Sequence, residues 1–169
     1  MTQKKYLLKE NGKWMICKDL CEVRKHFFTY LYNYSLYQPG SNMRNYIKSE
    51  IIIAGGRGIQ KIDDFRLLNI LAYYLCADIG VSRPLVDQGW FPKTMHMGIN
   101  GQKINPDLYF AIGISGKFQH MVGPGNARHF IAINTDKNAE IFEKADLGIV
   151  GDYKEIISYL LYAFSQPSI

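Results

Sequence analysis

Five short stretches carry the side chains best suited to holding a small molecule: Gly55-Gly56-Arg57-Gly58, Ser82-Arg83-Pro84, the run from Gly113 to His120, Asn134-Thr135-Asp136 and Gly151-Asp152. Together they offer glycines, short hydroxyls, amides, two arginines, a histidine and two carboxylates. Glycines let backbone N–H groups close on a phosphate, and the amides, histidine and carboxylates suit a polar heteroaromatic ring. The set therefore points to a phosphorylated, heteroaromatic ligand. The run GISGKFQH is not a P-loop, because its glycine spacing is wrong and Phe118 stands where a magnesium-binding hydroxyl belongs. It is not a dinucleotide fingerprint of the Rossmann type either, having G-x-x-G well past the middle of the chain.

Each of the five stretches follows a short apolar run, at residues 51–54, 79–81, 108–112, 130–133 and 147–150. Ile51-Ile52-Ile53-Ala54 is continuous in the way a parallel strand buried on both faces requires. Helical patterns lie between or after several runs: Phe65, Leu68, Leu71, Ala72 and Leu75 line one side of a segment led by Asp63 and Asp64, and further patterns span 139–145 and 153–164. The alternation predicts an α/β fold with a mainly parallel sheet flanked by helices. In such a sheet ligands gather at the carboxyl ends of the strands, where the five stretches sit.

The first 47 residues read as an accessory hairpin, helix and linker, and 48–169 as the ligand-binding domain. Tyr6-Leu7-Leu8 and Trp14-Met15-Ile16 flank an Asn11-Gly12 turn signal, Asp19 is placed to cap a helix, and Gln38-Pro39-Gly40-Ser41-Asn42 is the best linker. Through Glu50 there are nine Lys/Arg against four Asp/Glu, and from Ile51 onward eleven against eleven, so the net charge of +5 arises at the N-terminus. Segment 24–37 has the basic and aromatic mixture of a nucleic-acid platform. Its neighbourhood nonetheless repeats Leu20, Val23, Phe27, Leu31 and Tyr34 at helical spacing, which favours a helix packed on a core or a partner. No nucleic-acid partner is expected. Cys17, Cys21 and Cys76 form no C-x-x-C pair, suit a reducing compartment, and are expected to be small buried residues with no metal. The apolar runs are too short to span a bilayer, and Met-Thr-Gln-Lys-Lys-Tyr lacks a signal-peptide core; the expectation is a cytoplasmic protein with no membrane insertion.

The ordered set GGRGI (55–59), SRPLVDQGW (82–90), NPDLYFAIGISGKFQH (105–120), AINTD (132–136) and ADLGIVGD (145–152) resembles the FAD-binding domain of the electron transfer flavoprotein alpha subunit, over residues 48–164. The resemblance implies an FAD-binding fold of the deoxyhypusine-synthase-like type. It implies that Arg57 contacts the cofactor and that Ser82 and Arg83 lie at the flavin. The turn with Ser115, Gly116, Gln119 and His120 would hold the pyrophosphate and present its last residues to the ring, while Asn134 and Asp152 would lie on the ribityl-to-adenosine side. Where the family has Gly-Gln-Thr-Gly, this chain has Gly98-Ile99-Asn100-Gly101. The threonine hydroxyl expected near the flavin is replaced by the Asn100 amide. Lys117 stands for a small residue and would add positive charge near the phosphates.

The implied function is a non-covalent FAD module passing electrons between protein partners, a carrier more than a catalyst with its own substrate. The competing function is a nucleotide-binding structural or regulatory protein that holds FAD, AMP or ADP without redox chemistry. The implied partners are a flavoprotein beta-type subunit or a dehydrogenase. The family's separate N-terminal domain is not recognisable here, so the segment containing Trp14, Phe27, Leu31 and Tyr34 is expected to cover an apolar face within one chain or across a homodimer. Residue by residue, plainer roles stay open: Arg57 as a surface ion pair, Asn134 as a turn residue, Asp152 as a helix cap. His26, His96 and His129 match no functional position of the family and are assigned to structure.

Overall fold

A computed structural model describes residues 4–34, 36, 51–98, 101, 105–117, 121, 123–124 and 126–166. The expected linker at 38–42 and the site residues Ile99, Asn100, Gln119 and His120 lie outside the described residues.

The chain opens with a hairpin of β1 (Tyr6–Glu10) and β2 (Lys13–Cys17). Its turn is Asn11-Gly12, both left-handed (φ +49° and +80°), the conformation whose twist matches two paired strands. Helix α1 (Leu20–Asn33) follows, capped by the Asp19 carboxylate, which accepts the Glu22 N–H at 2.9 Å. The remainder alternates: β3 (Ile51–Gly55), α2 (Phe65–Leu75), β4 (Asp78–Val81), the short α3 (Arg83–Asp87), β5 (Leu108–Ile112), β6 (His129–Asn134), the single turn α4 (Ile141–Lys144), β7 (Leu147–Val150) and α5 (Tyr153–Ser165).

These strands form one sheet in the order β2-β1-β7-β6-β5-β3-β4. From β3 to β7 all pairings are parallel, as the continuous apolar runs predict, and β3 and β5 are buried along their whole length. The sheet is nevertheless mixed, because β1 pairs antiparallel with β7, from Leu7 opposite Val150 to Glu10 opposite Leu147. Alternate residues feed two apolar layers. Ile53, Phe110, Ile112 and Ile133 pack with the helices α1, α2 and α5, and α5 touches both of the others. Ile52, Ala54, Tyr109 and Ala132 face the opposite side, where Met97, Ile114, Ile141 and Phe142 cover them.

The N-terminal segment shares this core. Helix α1 buries Val23, Phe27, Tyr30 and Leu31, with the Phe27 ring 5.7 Å from that of Phe110, so its apolar face is covered within the chain. Trp14 lies on the other side of the sheet, its ring edge-on to Phe142 at 5.5 Å. At the amino end of the parallel strands the polar groups answer one another: His26 Nδ1 meets Glu10 Oε2 at 2.9 Å, Tyr30 Oη meets His129 Nδ1 at 2.9 Å, and the Phe130 N–H donates to Asp146 Oδ2 at 2.8 Å. Burial first, and the Asp146 charge next, hold the Tyr30 phenol far above its usual range, so it stays protonated.

Candidate functional site

The parallel strands run β4-β3-β5-β6-β7 across the sheet. The chain leaves β3 for β4 on one side and then crosses back to β5 on the other, so the winding direction reverses between β3 and β5. At such a reversal the loops leave in opposite directions and open a crevice at the carboxyl ends. The register makes that rim level, with Val81, Gly55, Ile112 and Ile133 side by side. The next residues, Ser82, Gly56, Gly113 and Asn134, are therefore brought together, with Gly151 one step further along beyond β7.

Local packing explains the two glycine loops before any ligand is considered. The Gly56 N–H donates to Ile112 O and the Gly58 N–H to Gly113 O, both at 2.9 Å. A Cβ on Gly56 would lie 2.4 Å from the Gly113 carbonyl oxygen, so the loops after β3 and β5 interlock backbone to backbone. Gly116 is left-handed (φ +85°), and a Cβ there would lie 2.3 Å from the Ile141 nitrogen, which itself donates to Ser115 O at 2.8 Å. Asn134 ties the same turn down, its amide donating to Ile114 O and its oxygen accepting the Asp136 N–H, each at 2.9 Å. Asp152 caps α5 by accepting the Lys154 N–H at 2.8 Å. The turn and cap roles left open by the sequence are thus filled, whatever else Asn134 and Asp152 do. The loop after β3 is anchored at its far end, where Tyr153 Oη donates to Asp64 Oδ2 at 2.5 Å.

Other groups on the rim are not satisfied by the described residues. Ser82 is 7% exposed, its N–H donates to Gly55 O at 2.9 Å, and its hydroxyl has no partner among the described residues. A buried orphan hydroxyl is destabilising unless something else bonds it. Arg57 and Lys117 are exposed and make no ion pair among the described residues. Arg83 is exposed as well, and among the described residues it is bonded through Nε only to Asp87 Oδ2 at 3.3 Å, one turn along α3. Ser115 is exposed, and Gly98 is buried in a left-handed conformation (φ +147°). Chemically, the rim offers cations and hydroxyls to an anionic, oxygen-rich ligand. It offers no metal cage, since no group of three or more His, Cys, Asp or Glu among the described residues could hold an ion.

His96, assigned to structure on sequence grounds, stands at this rim too. It forms a parallel bridge with Val81, the residue before Ser82, and is 6% exposed. Burial first, then the Arg83 charge, push its imidazole below the ordinary range; Asp87 pulls the other way, and Lys93 adds the smallest push downward. The only sequence signal was its place just ahead of the segment 98–101, which the resemblance puts at the flavin.

Residues 46–124 match the family model described as the electron transfer flavoprotein FAD-binding domain. The Protein FixB of Bradyrhizobium diazoefficiens is 45% identical over 116 residues, which is 69% of this chain and 31% of that protein. The electron transfer flavoprotein subunit alpha of Bacillus subtilis is 42% identical over 122 residues, 72% of this chain and 38% of the relative. The putative electron transfer flavoprotein subunit YdiR of Escherichia coli is 39% identical over 120 residues, 70% of this chain and 38% of the relative. The chain thus spans about a third of the length of the curated relatives it matches. No helix among the described residues is long and apolar enough to cross a membrane. The matched residues contain β3, β4 and β5 with both interlocked glycine loops, and the chain carries a partial domain of the electron transfer flavoprotein alpha type.

Proposed function

We propose that this chain binds FAD at the carboxyl rim of its sheet and serves as an electron-transfer module between protein partners. The observation that carries the reading is the buried Ser82 hydroxyl without a partner among the described residues, set at the winding reversal of a domain whose matching family is an FAD-binding one. A ligand hydrogen bond there would remove the cost of an unsatisfied polar group.

FAD supplies reversible one- and two-electron chemistry; the chain supplies binding and electrostatics. Arg57 and Lys117 provide positive charge for the pyrophosphate, which the hydroxyl of Ser115 and the backbone around Gly116 would also meet. Ser82 and Arg83 address the flavin, together with Gly98, Ile99, Asn100, Gln119 and His120. A fixed guanidinium such as Arg83 favours negative charge on a neighbouring ring. Asn134 and Asp152 serve the adenosine side in addition to their turn and cap bonds. Within this reading the domain is the 48–169 unit, of the deoxyhypusine-synthase-like subtype. Its partner is a beta-type flavoprotein subunit or a dehydrogenase, its compartment is the cytoplasm, and the N-terminal segment mediates any homodimer.

The experiment is cofactor identification. The purified chain, as isolated or after mixing with FAD, is expected to show bound-flavin absorbance in the visible, and the heat-released cofactor is expected to run as FAD and not FMN. A colourless chain that takes up no FAD at micromolar concentrations contradicts the proposal.

A further inference from the structure

The described histidines divide into two groups. His26 is bonded to Glu10 and His129 to Tyr30, both at the amino end of the sheet. His96 is more buried than either and makes no side-chain hydrogen bond to any described residue. Its backbone is fixed: the bridge to Val81 and the Met97 N–H bond to Val81 O at 2.9 Å place it on the outer side of β4, level with the start of the rim. Two elements close on it. Arg83 and Asp87 act on it from α3, and Lys93 acts from its own preceding turn. Gly101 folds back over it, since a Cβ there would lie 2.9 Å from the imidazole Cγ and 2.2 Å from the His96 carbonyl oxygen. A neutral imidazole offers one ring nitrogen as donor and one as acceptor, a pairing suited to the mixed donor and acceptor edge of a heteroaromatic ring.

We infer that His96 is a further cofactor-contacting residue, presented to the ligand between the Ser82-Arg83 strand end and Gly101; this rests on the FAD reading above. It gives Gly101 a reason to be glycine, because a Cβ there would collide with the imidazole and with the His96 carbonyl. It also couples FAD binding to protonation: a ligand bonded to one ring nitrogen changes the balance among burial, Arg83, Lys93 and Asp87 that sets the imidazole's charge.

The test uses the full chain labelled with nitrogen-15. Imidazole resonances are followed by NMR as a function of pH, with and without FAD, and assigned with His26→Gln, His96→Gln and His129→Gln variants. FAD is expected to shift the His96 resonance and its titration midpoint while leaving His26 and His129 in place. His96→Gln is expected to weaken FAD binding by about threefold to tenfold, the loss of one hydrogen bond, with the unfolding temperature of the unliganded chain little changed. Should the wild-type chain bind FAD while His96 keeps its resonance and midpoint, this inference is overturned and the FAD reading stands. Should the wild-type chain bind no FAD, both fall. If the His96→Gln variant does not fold, the wild-type titration alone decides.

Discussion

The two ends of the sheet treat polar groups in opposite ways. At the amino end Glu10, His26, Tyr30, His129 and Asp146 are all bonded to the protein, and that end is where α1 and the hairpin lock onto the parallel strands. At the carboxyl end the backbone is just as firmly tied, through Gly56, Gly58 and Asn134, but the Ser82 hydroxyl, Arg57, Lys117 and His96 have no side-chain hydrogen-bond or ion-pair partner among the described residues. Full pairing is what a structural brace needs. Rigid scaffolding with unpaired functional groups is what a preformed ligand site needs, because the groups are held without being used up. Under the FAD proposal, the amino end serves stability and the carboxyl end serves recognition.

The largest expected effect breaks the brace. Phe27 is fully buried against Phe28 and Phe110, so Phe27→Ala is expected to lower stability by about 3 to 5 kcal/mol, measured by urea unfolding of the unliganded chain. An unchanged unfolding midpoint would mean that α1 is not part of the core. Next comes the scaffold of the rim itself. Gly116→Ala forces a methyl onto the Ile141 backbone from a left-handed position, and about 1 to 3 kcal/mol of destabilisation is expected together with weaker FAD retention.

Much of this division was legible in the sequence, and the illegible part has physical causes. The strands β3, β5 and β6 announced themselves because a strand covered on both faces must be apolar throughout, and their carboxyl ends follow directly. Asn11-Gly12 and Asp19 were readable because turn and cap chemistry is local. The pairing of β1 with β7 was not readable, since nothing near Leu7 specifies a partner as distant as Val150. The side of the sheet taken by Trp14 followed that pairing and was equally hidden. For the glycines, sequence supplied the conformational freedom but not what the missing Cβ would meet; at Gly56 and Gly116 it would meet protein backbone. His96 was assigned to structure because it matches no functional position of the family, and its burial beside the rim is a tertiary property.

A smaller effect sharpens the comparison through pH. The His96 imidazole is held below its ordinary value of 6.5 in the folded chain, so the unfolded chain takes up a proton first as pH falls. The stability contributed by keeping His96 neutral is complete above 6.5 and is lost as pH drops from there toward the lowered folded value. His96→Gln is expected to flatten the stability profile in that window relative to wild type, as followed by urea unfolding at successive pH values. Parallel profiles would show that His96 does not titrate differently on folding.

The central claim is tested most directly by pairing one substitution from each end and measuring both stability and FAD affinity. Tyr30→Phe removes a bonded hydroxyl and strands His129, so it is expected to lower the stability of the unliganded chain by about 1 to 2 kcal/mol with FAD affinity unchanged. Ser82→Ala removes an unbonded hydroxyl, so it is expected to leave the unliganded chain as stable as wild type or slightly more so, while FAD affinity falls about threefold to tenfold. That crossed pattern is expected in fluorescence titrations with FAD. Equal FAD affinity for wild type and Ser82→Ala, or a loss of affinity in Tyr30→Phe as large as in Ser82→Ala, would contradict it.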